Sequence, residues 1–492
     1  MTGAGASARH SPTLAADVAS FYHLREANLE GRACAGTACF VARHLDPARW
    51  REASREPRIH CLGKCWAAPA DTETAGRPAV GVTAREAVVL ERIRDGGARR
   101  LSEYMAGGGY RALDRALAMR PEDVIAEVEA SELRGRGGAA FPTGAKLRAV
   151  AAQASGEKYA VMNADEGDPG AYIDRSLLED DPLAPLEGLA IAAHAAGATK
   201  GIIYLRREYP GALAALETAL TEARAAGVLG ERMLRRGAPF DVEIVIGEGS
   251  YVCGEETALL NSVEGRRPFA RSRPPYPSER GLFGRPTLVQ NVETLANLPW
   301  IVRNGGRAYA AMGIAGSRGT KVVSLNSLFA KPGLYEVELG TPVRTIVEEL
   351  GGGLRSGALR GVIIGGPLAG ILPPEHLDAP LAFDELRALG ACVGHGGVIA
   401  FDERTSILEL VRHVFSFGAY ESCGLCTPCR LGARRVERMA AGELRWDTQA
   451  WDEIRSALRR TSVCGHGAGL ADFADGVERH YGNELRVCLA SR

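Results

Sequence analysis

Near the C-terminus three cysteines, Cys423, Cys426 and Cys429, are spaced C-x2-C-x2-C, and a fourth, Cys464, stands well downstream of them. One tight loop can present three thiolates to three irons, and a remote segment must then supply the fourth. The spacing is therefore that of a cubane iron–sulfur cluster, which passes electrons one at a time. A second quartet lies near the start of the chain, as Cys34-x4-Cys39 and Cys61-x3-Cys65. The two quartets account for eight of the eleven cysteines, which suits metal ligation in a reducing compartment better than a disulfide framework. The remaining three, Cys253, Cys392 and Cys488, read as buried structural thiols.

Three further clusters could bind a ligand. Leu133–Lys146 is a glycine-rich loop carrying Gly135, Gly137, Gly138 and the cations Arg136 and Lys146. Glycines let backbone N–H groups approach a phosphate closely, and Lys146 or Arg136 could add charge. The loop is not a standard dinucleotide fingerprint, because a helical pattern over 121–133 precedes it where a strand should stand. A glycine turn with no ligand is the plain alternative. Asn163-Ala164-Asp165-Glu166-Gly167-Asp168 puts an amide and three carboxylates just after an apolar strand pattern, where open α/β sheets bind ligands. Gly254-Glu255-Glu256-Thr257 puts two carboxylates at a helix start, a place that favours carboxylates or a bound anion.

The elements that must position these clusters follow from pattern. At 492 residues the chain is too long for one core. Residues 1–80 form a cysteine-bearing unit, followed by the linker-like Asp71–Pro78. From 85 to 320, strand patterns (159–163, 202–205, 242–246) alternate with helical ones (185–198, 255–263), as in an α/β domain. Residues 321–400 are strand-rich with one helix over 343–350, and from 401 to 492 amphipathic helical patterns dominate. A formal charge of −1 gives no reason to expect a nucleic-acid partner, and no apolar run is long enough to enter a membrane directly. Met1–Ala6 lacks a basic segment followed by an apolar one, so a cytoplasmic protein is expected.

Taken in order, five segments resemble the NADH-binding flavoprotein subunit of respiratory complex I and its counterparts in NAD-linked hydrogenases and formate dehydrogenases. They are the glycine loop, Asn163–Glu166, Cys253–Thr257, Asn291-Val292-Glu293-Thr294 and Glu421–Arg430, and the resemblance spans about residues 100–490. It implies FMN, one [4Fe–4S] cluster and NAD(H) as substrate. It also implies a multidomain α/β fold: a Rossmann-like FMN domain, a β-grasp "soluble-ligand-binding" (SLBB) domain over 321–400 and a helical iron–sulfur bundle after it. Carried over by position, Gly135, Gly137, Gly138, Lys146, Asn163, Asp165, Gly254, Glu255 and Asn291 would bind FMN. Phe141, Asp168, Glu256, Arg273 and Tyr276 would line the NAD(H) site, and Cys423, Cys426, Cys429 and Cys464 would ligate the cubane. The chain departs from the complex I pattern at Ala140 (for glycine), Leu147 (tryptophan), Asp168 (glutamate), Arg273 (lysine) and Tyr276 (phenylalanine).

The N-terminal quartet resembles the ligand pattern of thioredoxin-like [2Fe–2S] ferredoxins, with a shortened gap between its two pairs. That implies a truncated thioredoxin-like unit with Cys34, Cys39, Cys61 and Cys65 around a cluster. The alternative is a unit that only docks a partner. The resemblance further implies a diaphorase: hydride exchange between NAD(H) and FMN, then single-electron transfer through [4Fe–4S], with no side chain acting as acid or base. NAD is expected over NADP, because Glu255, Glu256 and Asp168 would repel a 2′-phosphate. The fused N-terminal unit points to the β subunit of a cytoplasmic NAD-dependent molybdenum formate dehydrogenase. The alternatives are the diaphorase of an NAD-reducing hydrogenase and the NADH-binding subunit of complex I. Expected partners are iron–sulfur and molybdenum or hydrogenase subunits and a small thioredoxin-like [2Fe–2S] subunit. A non-catalytic scaffold subunit is the reading from a different class.

Overall fold

The computed structural model describes residues 21–490; the first part of the N-terminal unit, with the Met1–Ala6 stretch, lies outside the described residues. The unit begins with short helices α1 (Thr37–Val41) and α2 (Pro47–Glu52). Asp46 starts α2 by accepting the Arg49 N–H, with Pro47 in the first turn, where its missing donor costs nothing. After the linker-like stretch comes strand β1 (Ala79–Val82).

The α/β region follows. Helix α3 (Pro121–Ala130) leads into the glycine loop, and α4 (Thr143–Ala151) leaves it. Then come β2 (Tyr159–Ala164), α5 (Ile173–Asp180), α6 (Leu183–Ala196), β3 (Lys200–Arg206) and α7 (Pro210–Ala225). Strand β4 (Asp241–Gly247), α8 (Glu256–Val263), β5 (Thr287–Asn291) and α9 (Val292–Asn304) complete it. The four strands form one parallel sheet in the order β4-β3-β2-β5. Helices cover such a sheet, so its inner strands are buried and read as unbroken apolar runs. In β2 every residue but Asn163 is buried. The register sets Asn163 of β2 opposite Asn291 of β5, so the sheet itself brings the two amides together.

A second, mixed sheet holds β6 (Thr320–Leu325), β7 (Gly333–Glu338), β8 (Leu359–Ile364), β9 (Ile371–Leu372) and β10 (Gly397–Asp402), with β1 on its edge, in the order β1-β7-β6-β10-β8-β9. The expected helix over 343–350 is a π-helical segment, Thr345–Leu350, and Phe383–Ala388 adds a second short helix. The C-terminal region is helical: α10 (Ile407–Tyr420), α11 (Ala433–Ala441), α12 (Thr448–Thr461) and α13 (Gly465–Ala490). No helix among the described residues is long and apolar enough to cross a membrane.

Buried charges join the two sheets. Lys321 of β6 and Glu293 of α9 form a wholly buried ion pair, and Glu293 also accepts the Val322 N–H at 2.9 Å. Glu336 of β7 is equally buried and accepts N–H groups of Val88, Val89 and Leu90 plus the Thr320 hydroxyl. Removing one member of a buried pair strands the other. Glu293→Ala is therefore expected to cost about 3–5 kcal/mol in urea unfolding, while replacing both members with apolar residues costs far less.

Candidate functional site

The C-terminal edge of the parallel sheet carries the site. Asn163 donates its side-chain N–H to the Gly254 carbonyl at 2.8 Å, tying the end of β2 to the turn before α8. Glu255 caps α8, accepting the N–H groups of Thr257 and Ala258 with Oε2 at 3.0 and 2.9 Å. Asn291 caps α9 through Thr294 N and turns its amide N–H to Asp174 at 2.7 Å. The glycine loop lies against this edge: a Cβ on Gly137 would sit 2.8 Å from Asn291 Cβ. Ala140 adopts φ +52°, a left-handed conformation that glycine takes freely, which explains why the complex I pattern has glycine there.

The polar atoms of this edge suit a flavin. Asp165 Oδ2 and Glu255 Oε1 are buried without a protein hydrogen bond, although Arg273 stands 3.5 Å from the latter, and buried acceptors are rarely left so. Hydroxyl or imide N–H donors of FMN would satisfy them. Arg136 behaves otherwise than its place in the loop suggests. Its guanidinium is buried and donates to the Tyr309 hydroxyl at 2.9 Å and the Arg318 carbonyl at 2.7 Å, so it braces the loop from within. Lys146 donates to Glu256 at 2.8 Å and to the Val289 carbonyl at 3.1 Å.

Phe141 and Tyr276 are 54% and 52% exposed, so both rings offer a face to a ligand. Arg273 pairs with Glu256 at 3.0 Å and lies 3.5 Å from Glu255. Asp168 accepts the Tyr251 hydroxyl at 2.7 Å, and burial pushes its carboxyl pKa up. Leu147 is buried in the core, so the residue in place of the family tryptophan offers no surface to a ligand. Tyr251 lies just ahead of the Cys253–Thr257 segment, yet nothing in the sequence signals that its hydroxyl would reach Asp168.

Cys423 and Cys429 are buried, whereas Cys426 and Cys464 are partly exposed. All four thiols are free, and Cys464 immediately precedes α13. Ser422 Oγ lies 3.2 Å from Cys429 Sγ, and burial raises the Cys464 thiol to about 12. Such thiols become thiolates when iron displaces the proton. Among the three remaining cysteines only Cys253 is buried; Cys392 and Cys488 are partly exposed, contrary to the expectation for them.

The N-terminal sulfurs form two pairs. Cys61 and Cys65 Sγ are 3.7 Å apart, the separation expected of two sulfurs bound about 2.3 Å from one tetrahedral metal. Cys34 shares a hydrogen bond with Cys39, which holds the Cys34 thiol down near 6. Gly36 N–H and Gly63 N–H point at Cys34 and Cys61 Sγ, at 3.4 and 3.3 Å. Among the described residues no three cysteine sulfurs lie within 4.8 Å of one another, so the four do not form a single tetrahedron. The segments that carry the two quartets touch: His60, next to Cys61, bonds Glu421 at 3.0 Å, two residues before Cys423.

This geometry defines a flavin- and iron–sulfur-carrying oxidoreductase. Residues 128–300 match the Nuo51 FMN-binding domain, and residues 409–487 match the NADH-ubiquinone oxidoreductase-F iron-sulfur binding region. The chain is 40% identical over 414 residues to an F-type NADH-quinone oxidoreductase component of Rhizobium meliloti (strain 1021), covering 83% of this chain and 98% of that protein. It is 38% identical over 407 residues to the NADP-reducing hydrogenase subunit HndC of Solidesulfovibrio fructosivorans, covering 79% and 83%. A crystal structure of an NAD+-reducing [NiFe]-hydrogenase in the H2-reduced state superposes with TM-score 0.82 at 30% identity, over 97% of this chain and 88% of that one. The chain belongs to the family of NADH-binding flavoproteins that serve NADH-quinone oxidoreductases and, as diaphorases, hydrogenases. It is an NADH dehydrogenase-type oxidoreductase component with FMN and a [4Fe–4S] cluster as cofactors.

Cys464 is the one thiol of its quartet contributed from outside the C-x2-C-x2-C loop. Cys464→Ser is therefore expected to lose most of the cubane iron and its broad visible absorbance while FMN content stays unchanged. Iron and flavin assays on the anaerobically purified protein check this.

Proposed function

We propose that this chain is the diaphorase (β) subunit of a cytoplasmic NAD-dependent molybdenum formate dehydrogenase. The observation that carries the diaphorase reading is the pair of buried acceptors without a protein hydrogen bond, Asp165 Oδ2 and Glu255 Oε1, beside a glycine loop and a cysteine quartet. FMN, when bound, takes a hydride from NADH and releases the two electrons singly, which no side chain can do.

The chain's own residues orient and enclose. Gly135, Gly137, Gly138 and Lys146 hold the phosphate and ribityl side, and Asn163, Asp165, Gly254, Glu255 and Asn291 complete the flavin pocket. Phe141 and Tyr276 flank the dinucleotide, with Asp168, Glu256 and Arg273 around it. Glu255 and Glu256 are balanced by Lys146 and Arg273. A 2′-phosphate would have to break the Arg273 pairs for no net gain in attraction, so NAD is favoured over NADP. Cys423, Cys426, Cys429 and Cys464 hold the cubane.

The domain limits are 1–80, 85–320, 321–400 and 401–492. The mixed sheet supports a β-grasp SLBB reading of 321–400, with β1 joining it from outside that range. The paired, amide-bonded sulfurs support a [2Fe–2S] cluster on Cys34, Cys39, Cys61 and Cys65 in a truncated thioredoxin-like unit, with one iron for each pair. The second reading for the parent enzyme is an NAD-reducing hydrogenase. It is favoured by the superposition over 97% of this chain, a share that takes in most of the N-terminal unit.

The purified chain is expected to show flavin absorbance that bleaches with NADH far faster than with NADPH; no bleaching means a scaffold. Metal analysis of the assembly isolated with its native partners separates the parents, molybdenum or tungsten for a formate dehydrogenase and nickel for a hydrogenase. Cys61→Ser is expected to lower iron by about two atoms per chain; unchanged iron leaves the N-terminal unit as a docking module.

A further inference from the structure

The seam between the two sheets holds a titratable cluster that no step above uses. His395 precedes β10 between Gly394 and Gly396, whose φ of +54° and +98° bend the loop toward the flavin domain. Its ring is buried. Nε2 lies 3.1 Å from Asp174 Oδ2 and Nδ1 lies 3.5 Å from Glu166 Oε1. The carboxylates thus meet opposite nitrogens of one imidazole: Nε2 bonds Asp174 and also lies 3.4 Å from the Asn291 amide nitrogen, whereas Nδ1 makes no hydrogen bond and faces Glu166 as an ion-pair contact. Glu166 is further occupied by the N–H groups of Ile173, Asp174 and Arg175 and the Tyr209 hydroxyl. Burial disfavours the charge on His395, but Asp174 and then Glu166 outweigh it and raise the pKa to about 10. Asp174 in turn accepts the Asn291 amide, and Asn291 backs Gly137.

We propose that His395 is a positioning residue for the flavin: as a cation it clamps Glu166 and Asp174 across the seam and, through Asp174, fixes Asn291 and the glycine loop against FMN. This rests on the assignment of Asn291 and the loop to the FMN pocket. Without the cation two buried carboxylates face each other, and the pair retains a proton that both cannot lose together. As the pH rises Glu166 ionises beside Asp174, and the two like charges, no longer bridged by a cation, repel and open the seam. The groups facing the ring are Glu166 and Asp168 after β2, Asp174 on α5, Lys321 on β6 and Glu293 on α9; the last two neutralise each other.

The test uses the full chain, stripped of flavin and titrated with FMN by fluorescence quenching from pH 6 to 9. FMN binding by the unaltered chain tests the pocket, and the difference between chains tests the clamp. Burial and then Asp174 push the Glu166 carboxyl up to about 7, inside this range, so the unaltered chain is expected to bind FMN with only a shallow pH dependence while its cation persists. His395→Gln is expected to bind about tenfold more weakly and to weaken further as pH rises. The double variant His395→Gln/Asp174→Asn, which no longer has an acid pair, is expected to lose that pH dependence. Affinity of His395→Gln within twofold of the unaltered chain, at all pH values, overturns the proposal. So does loss of helix content and cubane iron in both variants, which would make the clamp a folding element rather than a flavin-positioning one.

Discussion

Two neighbouring parallel strands end at the same height, with Asn163 facing Asn291, and the rest of the site is hung from that edge. The register is a backbone property, fixed by the hydrogen-bond ladder between β2 and β5. It needs no contribution from the ligand. Each amide then does local work, Asn163 holding the Gly254 turn and Asn291 capping α9. The two turns that bracket the proposed flavin pocket are thereby spaced by the backbone ladder and two side-chain amides.

Behind the edge, the fold accepts the cost of buried charge because each group is met by several partners. Glu336 takes three backbone N–H groups, Glu166 three N–H groups and a phenol, and Glu293 a lysine and an amide. Of these, the Glu293 contacts to Lys321 and Val322 cross from α9 to β6 and help to specify how the mixed sheet seats on the parallel one. Apolar packing is less particular about register, whereas a carboxylate facing three amide donors tolerates no slip.

Three of the four parallel strands were legible in the sequence as apolar runs, whereas the edge strand Thr287–Asn291, which carries Asn291, was not read as one. The cysteine spacings were legible because local geometry dictates them. Strand β1 was not: Ala-Val-Gly-Val is short and half-exposed, and its partner Gly333–Glu336 lies some 250 positions away. His395 was equally hidden, a single histidine between glycines whose carboxylates come from a different sheet. The buried course of Arg136 was missed for a related reason. A cation in a glycine loop suggests phosphate, and only Tyr309 and Arg318, brought in by later elements, draw it inward. Spacing exposes chemistry carried by one loop, while chemistry shared between loops emerges only with the fold.

The cubane loop has a feature with a practical side. Leu425, Leu431 and Val463 all stand out into solvent within two residues of Cys426, Cys429 and Cys464. Greasy side chains ringing a half-open redox centre suit a chain that spends its life against a neighbour. Handled alone, it would turn those side chains and the half-open side of its cysteine loop to water.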